Sequence, residues 1–396
     1  MLIHLIRWAL IVAFAAAILL FALISLYSIG LNLAQKNIWS NDFFAIWSFA
    51  KFTTTRTAAT IYDNAVIHDF QVDLGSSPTY YLPCPYPPSF LLLIAPLGFF
   101  SYYAAYAIWI FGTFAFYLIV SIRRQSSRIG AVLFALAPAS IVTFASGQTG
   151  FLTSALIVGG FRFAAERPIL GGILFGLATV KPQLGLLVPV ALIAARRWRA
   201  AAAACVTALV VVLASGAVLG WQVWPIWLVT LGGHADWAAR VGSRYTVTII
   251  GSLGLLGVGL HWARWVQAGV TTLVVILVWL AFRRGTASLA VAAALVGTFL
   301  ATPYAFIYDM PMATNAAVAL LAAERTPGRP LGVVTIAVVG LSLMLPLIIA
   351  LTWKLSMIRS VPMILLFGLI VWRALNGRGT SSMTAVAPIE KAAFGQ

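Results

Sequence analysis

Several polar side chains sit where apolar segments of this chain end. Asp42 follows the first long apolar run and is flanked by Phe43, Phe44, Trp47 and Phe49. Gln148 follows Gly147 at the end of another run, and Lys181 and Gln183 flank Pro182 between two short ones. Tyr304, Tyr308 and Asp309 occupy a further turn, and His234 and Asp236 a long connection. Ionisable groups at membrane depth are costly and point to function by default. A carboxylate at lipid-headgroup level can serve as a general base toward a hydroxyl. A nearby Lys or Arg can hold a phosphate, such as the leaving group of a lipid-linked sugar. Asp42 is therefore the expected catalytic residue. Lys181, Gln148, Gln183, Tyr304, Asp309, His234, Trp47 and Tyr86 form the expected substrate-binding set. No metal is expected, because the two cysteines (Cys84, Cys205) and four histidines lack ligand spacing.

Each residue also has a plainer explanation. Asp42 can cap its helix, although Ser40 and Asn41 can cap it equally well. Gln148 can satisfy backbone groups at a tight glycine turn. Lys181 can snorkel from a Pro-broken helix. Asp309 can pair with an Arg or cap the next helix, and His234 can be an ordinary interfacial residue. Phe43, Phe44, Trp47 and Tyr86 can be interfacial packing.

The elements that must position these residues follow from composition. The chain has 396 residues, is 62% hydrophobic and 9% charged, and has a mean hydropathy of +1.00. A soluble core cannot hide so much apolar surface, so the fold class is an all-α polytopic membrane protein. The formal charge is +16. Its Arg clusters fall between apolar runs, as orientation by the positive-inside rule requires, which argues against a nucleic-acid partner. Hydropathy and charge together give about twelve spans with both termini cytoplasmic. The first run is too long for a signal peptide and reads as a retained anchor.

On this reading, residues 1–375 are a transmembrane domain and 376–396 a disordered cytoplasmic tail. Residues 31–101 form a first extracytoplasmic loop with interfacial helices, and 221–258 a second long outer segment anchored by Trp221, Trp224, Trp227 and Trp237. The short runs around 168–195 leave the span count open, since they can cross or form a re-entrant hairpin. All the unusual polar residues then lie at one level, facing outward. No internal repeat is evident.

Six blocks carry a resemblance: "NDFFAIWSFAK" (41–51), "IYD" (61–63), "YPPSFLLLIAPLGFF" (86–100), "SGQTGFL" (146–152), "GILFGLATVKPQLGLLVPVALIAARRWRA" (172–200) and "TPYAFIYDM" (302–310). In order and spacing they resemble glycosyltransferase family 87 of the GT-C superfamily, whose known members include polyprenyl-phosphate-mannose-dependent α-mannosyltransferases. The resemblance implies a GT-C fold and an extracytoplasmic acid acting as base, matched by Asp42. Lys181, Gln148 and Asp309 match other polar positions. It implies an inverting transfer from a β-linked polyprenyl-phosphate sugar to a lipid or glycan acceptor in the cell envelope, without a cofactor. One departure stands out: many members carry His where this chain has Tyr304. Tyr is neutral near neutral pH, so that histidine's part is in doubt here.

Two other classes remain open from the sequence. A transporter or lipid flippase fits the span number and the broken 168–195 hairpin, but transporters usually place coupling charges near the midplane. A non-catalytic scaffold would tolerate loss of Asp42 and Lys181. Oligomeric state is not legible.

Overall fold

Backbone polar groups in a bilayer must be satisfied within the chain, so apolar runs of this length fold as helices. A computed structural model describes residues 2–34, 41–79, 82–122, 128–240, 245–325, 331–351 and 359–376. The expected cytoplasmic tail beyond Asn376 lies outside them. The first helix, α1, runs Leu2–Ala34. The first long loop carries α2 (Phe43–Thr55), α3 (Asn64–Asp73) and α4 (Pro88–Ile94). Next come α5 (Tyr102–Ser121), α6 (Arg128–Leu136), α7 (Pro138–Ser146), α8 (Gly150–Phe163), α9 (Pro168–Leu177), α10 (Leu187–Ala194) and α11 (Trp198–Leu219). The remaining helices are α12 (Val223–Arg240), α13 (Ile249–Leu255), α14 (Leu260–Arg284), α15 (Ala287–Ala301), α16 (Pro311–Glu324), α17 (Val333–Leu351) and α18 (Val361–Asn376).

The chain is an all-helical membrane protein. Four described helices are long and apolar enough to cross a bilayer, within α5, α11, α14 and α17. The other apolar helices are shorter. Proline accounts for much of the shortening. It lacks a backbone N–H and fits best in a helix's first turn. Pro88, Pro138, Pro168 and Pro311 each start a helix. Pro138 thereby splits the apolar run 129–146 into α6 and α7.

The first long loop differs from expectation. Interfacial packing is the plain expectation for the aromatic residues of α2. Phe43, Phe44, Phe49 and Phe52 are instead buried in the main core, with Trp47 nearly so. The Trp47 indole N–H donates to the Phe100 carbonyl at 3.1 Å and its ring stands edge-on to Tyr102. Burial against protein satisfies both the apolar rings and the indole donor, which a headgroup layer does only in part. The loop is stapled from within by buried Gln71, which bonds Ser48 and both backbone groups of Leu82.

The segment expected as the second long outer one, 221–258, is likewise more structured than a simple interfacial anchor. Trp227 is buried and donates to the Pro85 carbonyl at 3.2 Å, while Trp224 bonds Ser215. Only Trp221 of the described indoles there is well exposed; the Trp237 side chain lies outside the described residues. After α12 the chain pairs with the turn that follows α15, through an isolated antiparallel bridge between Thr246 and Phe306. At the far end of the bundle, Arg162 donates to the carbonyls of Ile119, Val120 and Ile122 at the end of α5. Arg373 pairs with Glu324, which also accepts from Thr335, tying α16, α17 and α18.

Candidate active site

Asp42 immediately precedes α2 and does not cap it with its side chain. Asn41 does that instead: its side-chain oxygen accepts from the Phe43 N–H at 2.8 Å, and its amide donates to the Ala145 carbonyl at 2.7 Å. The plainer explanation of Asp42 as a helix cap thus falls away. Asn41 anchors the start of α2 to the end of α7, and Asp42 is left facing Gln148. The surrounding protein pushes the Asp42 carboxyl up to about 6, with hydrogen bonding to Gln148 offsetting part of the rise.

The turn between α7 and α8 holds Gln148 in place. Gly147 ends α7 in the left-handed region, φ +67°, where a Cβ is disfavoured. A Cβ there would also come within 2.6 Å of the Phe43 side chain. Glycine therefore lets α2 approach this turn closely enough for Asp42 to reach Gln148. The Trp109 indole fixes the Gly147 carbonyl at 2.9 Å. Tyr86, stacked on Phe90 with ring centroids 4.1 Å apart, donates its hydroxyl proton to Gln148 Oε1 at 3.1 Å.

On the other side of Gln148 lies Thr149, whose hydroxyl accepts from Lys181 Nζ at 3.3 Å. Lys181 also makes an ion pair of 2.6 Å with Asp309, and both side chains are buried. Proline explains the position of this lysine. The residue before Pro182 is pushed out of the α region, and Lys181 has φ −143°, ψ 72°. The helical run breaks there and the side chain turns into the protein instead of snorkelling outward.

Asp309 ends a short 3-10 turn, Ile307–Asp309, and its second oxygen accepts from the Phe306 N–H at 3.0 Å. The Tyr308 ring lies 4.8 Å from Lys181 Nζ, and its carbonyl accepts from Thr143. Gly150 makes this contact possible, since a Cβ there would overlap the Tyr308 carbonyl oxygen. Tyr304 is half-buried and sits edge-on to Phe306, with centroids 5.1 Å apart.

Of the residues singled out from sequence, Asp42, Gln148, Tyr86, Lys181 and Asp309 thus lie around one region, contributed by five separate stretches of the chain, with Tyr304 beside them. Gln183 is half-buried on its own short turn and makes no hydrogen bond to the group. Trp47 packs α2 against the segment before α5. His234 lies in α12 with its side chain outside the described residues. Thr149 was not singled out. The only signal for it is its place directly after Gln148, as the residue from which α8 starts. Among the described residues, no group of three or more His, Cys, Asp and Glu side chains could hold a metal ion.

Chemically, the arrangement sets a carboxylate of raised basicity on one side of the Gln148–Thr149 pair and a buried ammonium on the other. An ammonium has three donors; Asp309 and Thr149 take two, leaving one for a ligand oxygen. The model of the family described as Glycosyltransferase family 87 matches residues 85–307, more than half of the chain. No curated protein and no solved structure matches.

Proposed function

The chain belongs to glycosyltransferase family 87, and from that membership we propose a specific reaction. It moves a hexose, with mannose as first candidate, from a polyprenyl-phosphate donor to a hydroxyl of a lipid or envelope-glycan acceptor. The acceptor hydroxyl gives its proton to Asp42 while its oxygen attacks the anomeric carbon from the face opposite the phosphate. The bond from that carbon to the phosphate oxygen breaks, the phosphate keeps the electron pair, and the configuration inverts. Lys181 offers its remaining N–H to the departing phosphate, where a cation is worth most as charge develops. The Tyr304 hydroxyl adds a neutral donor. No cofactor is needed.

The reaction takes place at the outer face of the cytoplasmic membrane, with both termini cytoplasmic and the lipid tail of the donor left in the bilayer. The observation that carries the reading is the buried Lys181–Asp309 ion pair, whose lysine also donates to Thr149, the chain neighbour of the Gln148 that Asp42 faces. A carboxylate with no cation beside it among the described residues keeps its basicity, and a buried ammonium such as Lys181 suits an anion.

The test uses the full chain in lipid nanodiscs with polyprenyl-phosphate [3H]mannose and extracted membrane lipids as acceptors. Wild type is expected to label a lipid product, and Asp42→Asn to lower the rate at least about 100-fold, the low end for a lost general base. Near-wild-type transfer by Asp42→Asn would remove Asp42 as the base. Counterflow of the donor with no transfer would instead favour a flippase.

A further inference from the structure

The turn that carries Asp309 is fixed against α7 and α8 through Thr143 and Gly150. Its other side is held by the connection between α12 and α13. Thr246 lies opposite Phe306 in an antiparallel bridge. In a non-hydrogen-bonded pair of this kind the flanking residues bond across. The Val247 N–H donates to the Ala305 carbonyl at 3.1 Å, and the Ile307 N–H to the Tyr245 carbonyl at 3.0 Å. The Phe306 N–H therefore points away from the pairing. There it donates to Asp309 Oδ2 at 3.0 Å, while Oδ1 takes Lys181 at 2.6 Å. The direction of that N–H, and with it the place of the carboxylate, follows from the register of the pairing.

Two buried side chains lock the register. Thr248 Oγ1 donates to the Pro303 carbonyl at 3.4 Å and accepts from the Gly251 N–H at 3.3 Å, capping α13. Gln267 belongs to α14, where an amide is costly unless it is satisfied. Its NH2 donates to the Leu300 carbonyl at 2.8 Å and the Ala301 carbonyl at 3.3 Å, acceptors that a helix end leaves open. Its Oε1 accepts from the Ile250 N–H at 3.2 Å. One carboxamide thus joins the end of α15 to the start of α13, the two helix ends that the paired stretches adjoin.

We infer that Thr248 and Gln267 are positioning residues for the phosphate site: through the pairing of 245–247 with 305–307 they set Asp309, and Asp309 sets the Lys181 ammonium. The inference rests on the role proposed for Lys181 toward the departing phosphate. A loosened frame misplaces the cation where charge develops, which lowers kcat and leaves acceptor affinity alone.

The test uses the full chain in nanodiscs. Thr248→Val keeps the side-chain shape and removes both of its bonds, whereas Thr248→Ser keeps the hydroxyl. Thr335→Val removes a hydrogen bond to Glu324 at the far end of the bundle and serves as the control. Transfer is measured with radiolabelled polyprenyl-phosphate mannose. The Asp309 carboxylate stretch is read in infrared spectra as the band lost in Asp309→Asn. Thr248→Val and Gln267→Leu are expected to lower kcat about 10- to 100-fold at an unchanged acceptor KM, and to shift the Asp309 band. Thr248→Ser should restore both. Thr335→Val should lower the melting temperature with kcat and the band unmoved. Wild-type kcat and an unmoved band in Thr248→Val, with only its melting temperature lowered, overturns the inference. Should Gln267→Leu not fold, Thr248→Val and its serine rescue decide. A shifted band together with normal transfer by Lys181→Met leaves the frame around Asp309 standing and removes the proposed role of the lysine.

Discussion

At the scale of single residues, two buried charges behave differently. Among the described residues no cation pairs with Asp42, and burial raises its carboxyl from 3.8 to about 6. A base must be deprotonated to accept, so kcat/KM should fall about tenfold per unit below pH 6 and level off above it. The consequence for stability runs the other way. The folded carboxyl binds its proton more tightly than the unfolded one, so this group's contribution falls as pH rises from about 4 to about 6 and stays lost above. Asp42→Asn removes the charge, so at pH 7.5 this inactive variant should melt higher than wild type in detergent. Lys181 and Asp309, by contrast, compensate one another. Leaving either one buried alone should cost about 3–5 kcal/mol. Lys181→Met with Asp309→Leu should be less damaging to thermal stability than either single change, while still abolishing transfer. Loss of stability in the double variant equal to the sum of the singles would show that the pair is not coupled.

At the scale of elements, the site depends on close approaches that only glycine allows. Gly147 combines a left-handed backbone with contact to Phe43, and Gly150 lies against the Tyr308 carbonyl. Gly150→Ala should push the Ile307–Asp309 turn off α8, costing about 1–3 kcal/mol as overpacking and lowering activity through displaced Asp309 and Lys181. Gly185→Ala, in open space on the neighbouring turn, should leave melting temperature and transfer rate near wild type. Each glycine is visible in the sequence, but its role is not. Gly147 in "SGQTG" reads as a turn, whereas its contact with a residue about a hundred positions earlier depends on how α2 and α7 cross. Proline was more legible. The break at Lys181-Pro182 follows from local sterics alone, whereas the inward direction of the lysine side chain is seen only in the fold.

At the scale of the whole molecule, the proposed orientation puts the α2–α4 loop outside and the turn around Arg197 inside. A membrane-impermeant maleimide applied to intact cells should label Asp69→Cys, whose side chain is 82% exposed. Arg197→Cys should react only after permeabilisation, both variants being made in a Cys205→Ser background. Labelling with the opposite sidedness would invert the topology and the proposed face of catalysis. The amino-acid sequence alone determined the membrane class, because 62% hydrophobic residues leave lipid as the solvent. It also determined the helical class, because lipid offers backbone groups no partners. Ordered motifs identified the family, and rare polar residues at run ends marked Asp42, Gln148, Lys181 and Asp309. Only the tertiary structure decided what those residues do to one another. It moved the α2 aromatics from an expected membrane surface into the core, gave the capping role to Asn41, paired Lys181 with Asp309 across the chain, and brought in Thr149. Local hydropathy records what a segment must hide from water; which partner hides it depends on helix crossings that no local pattern contains.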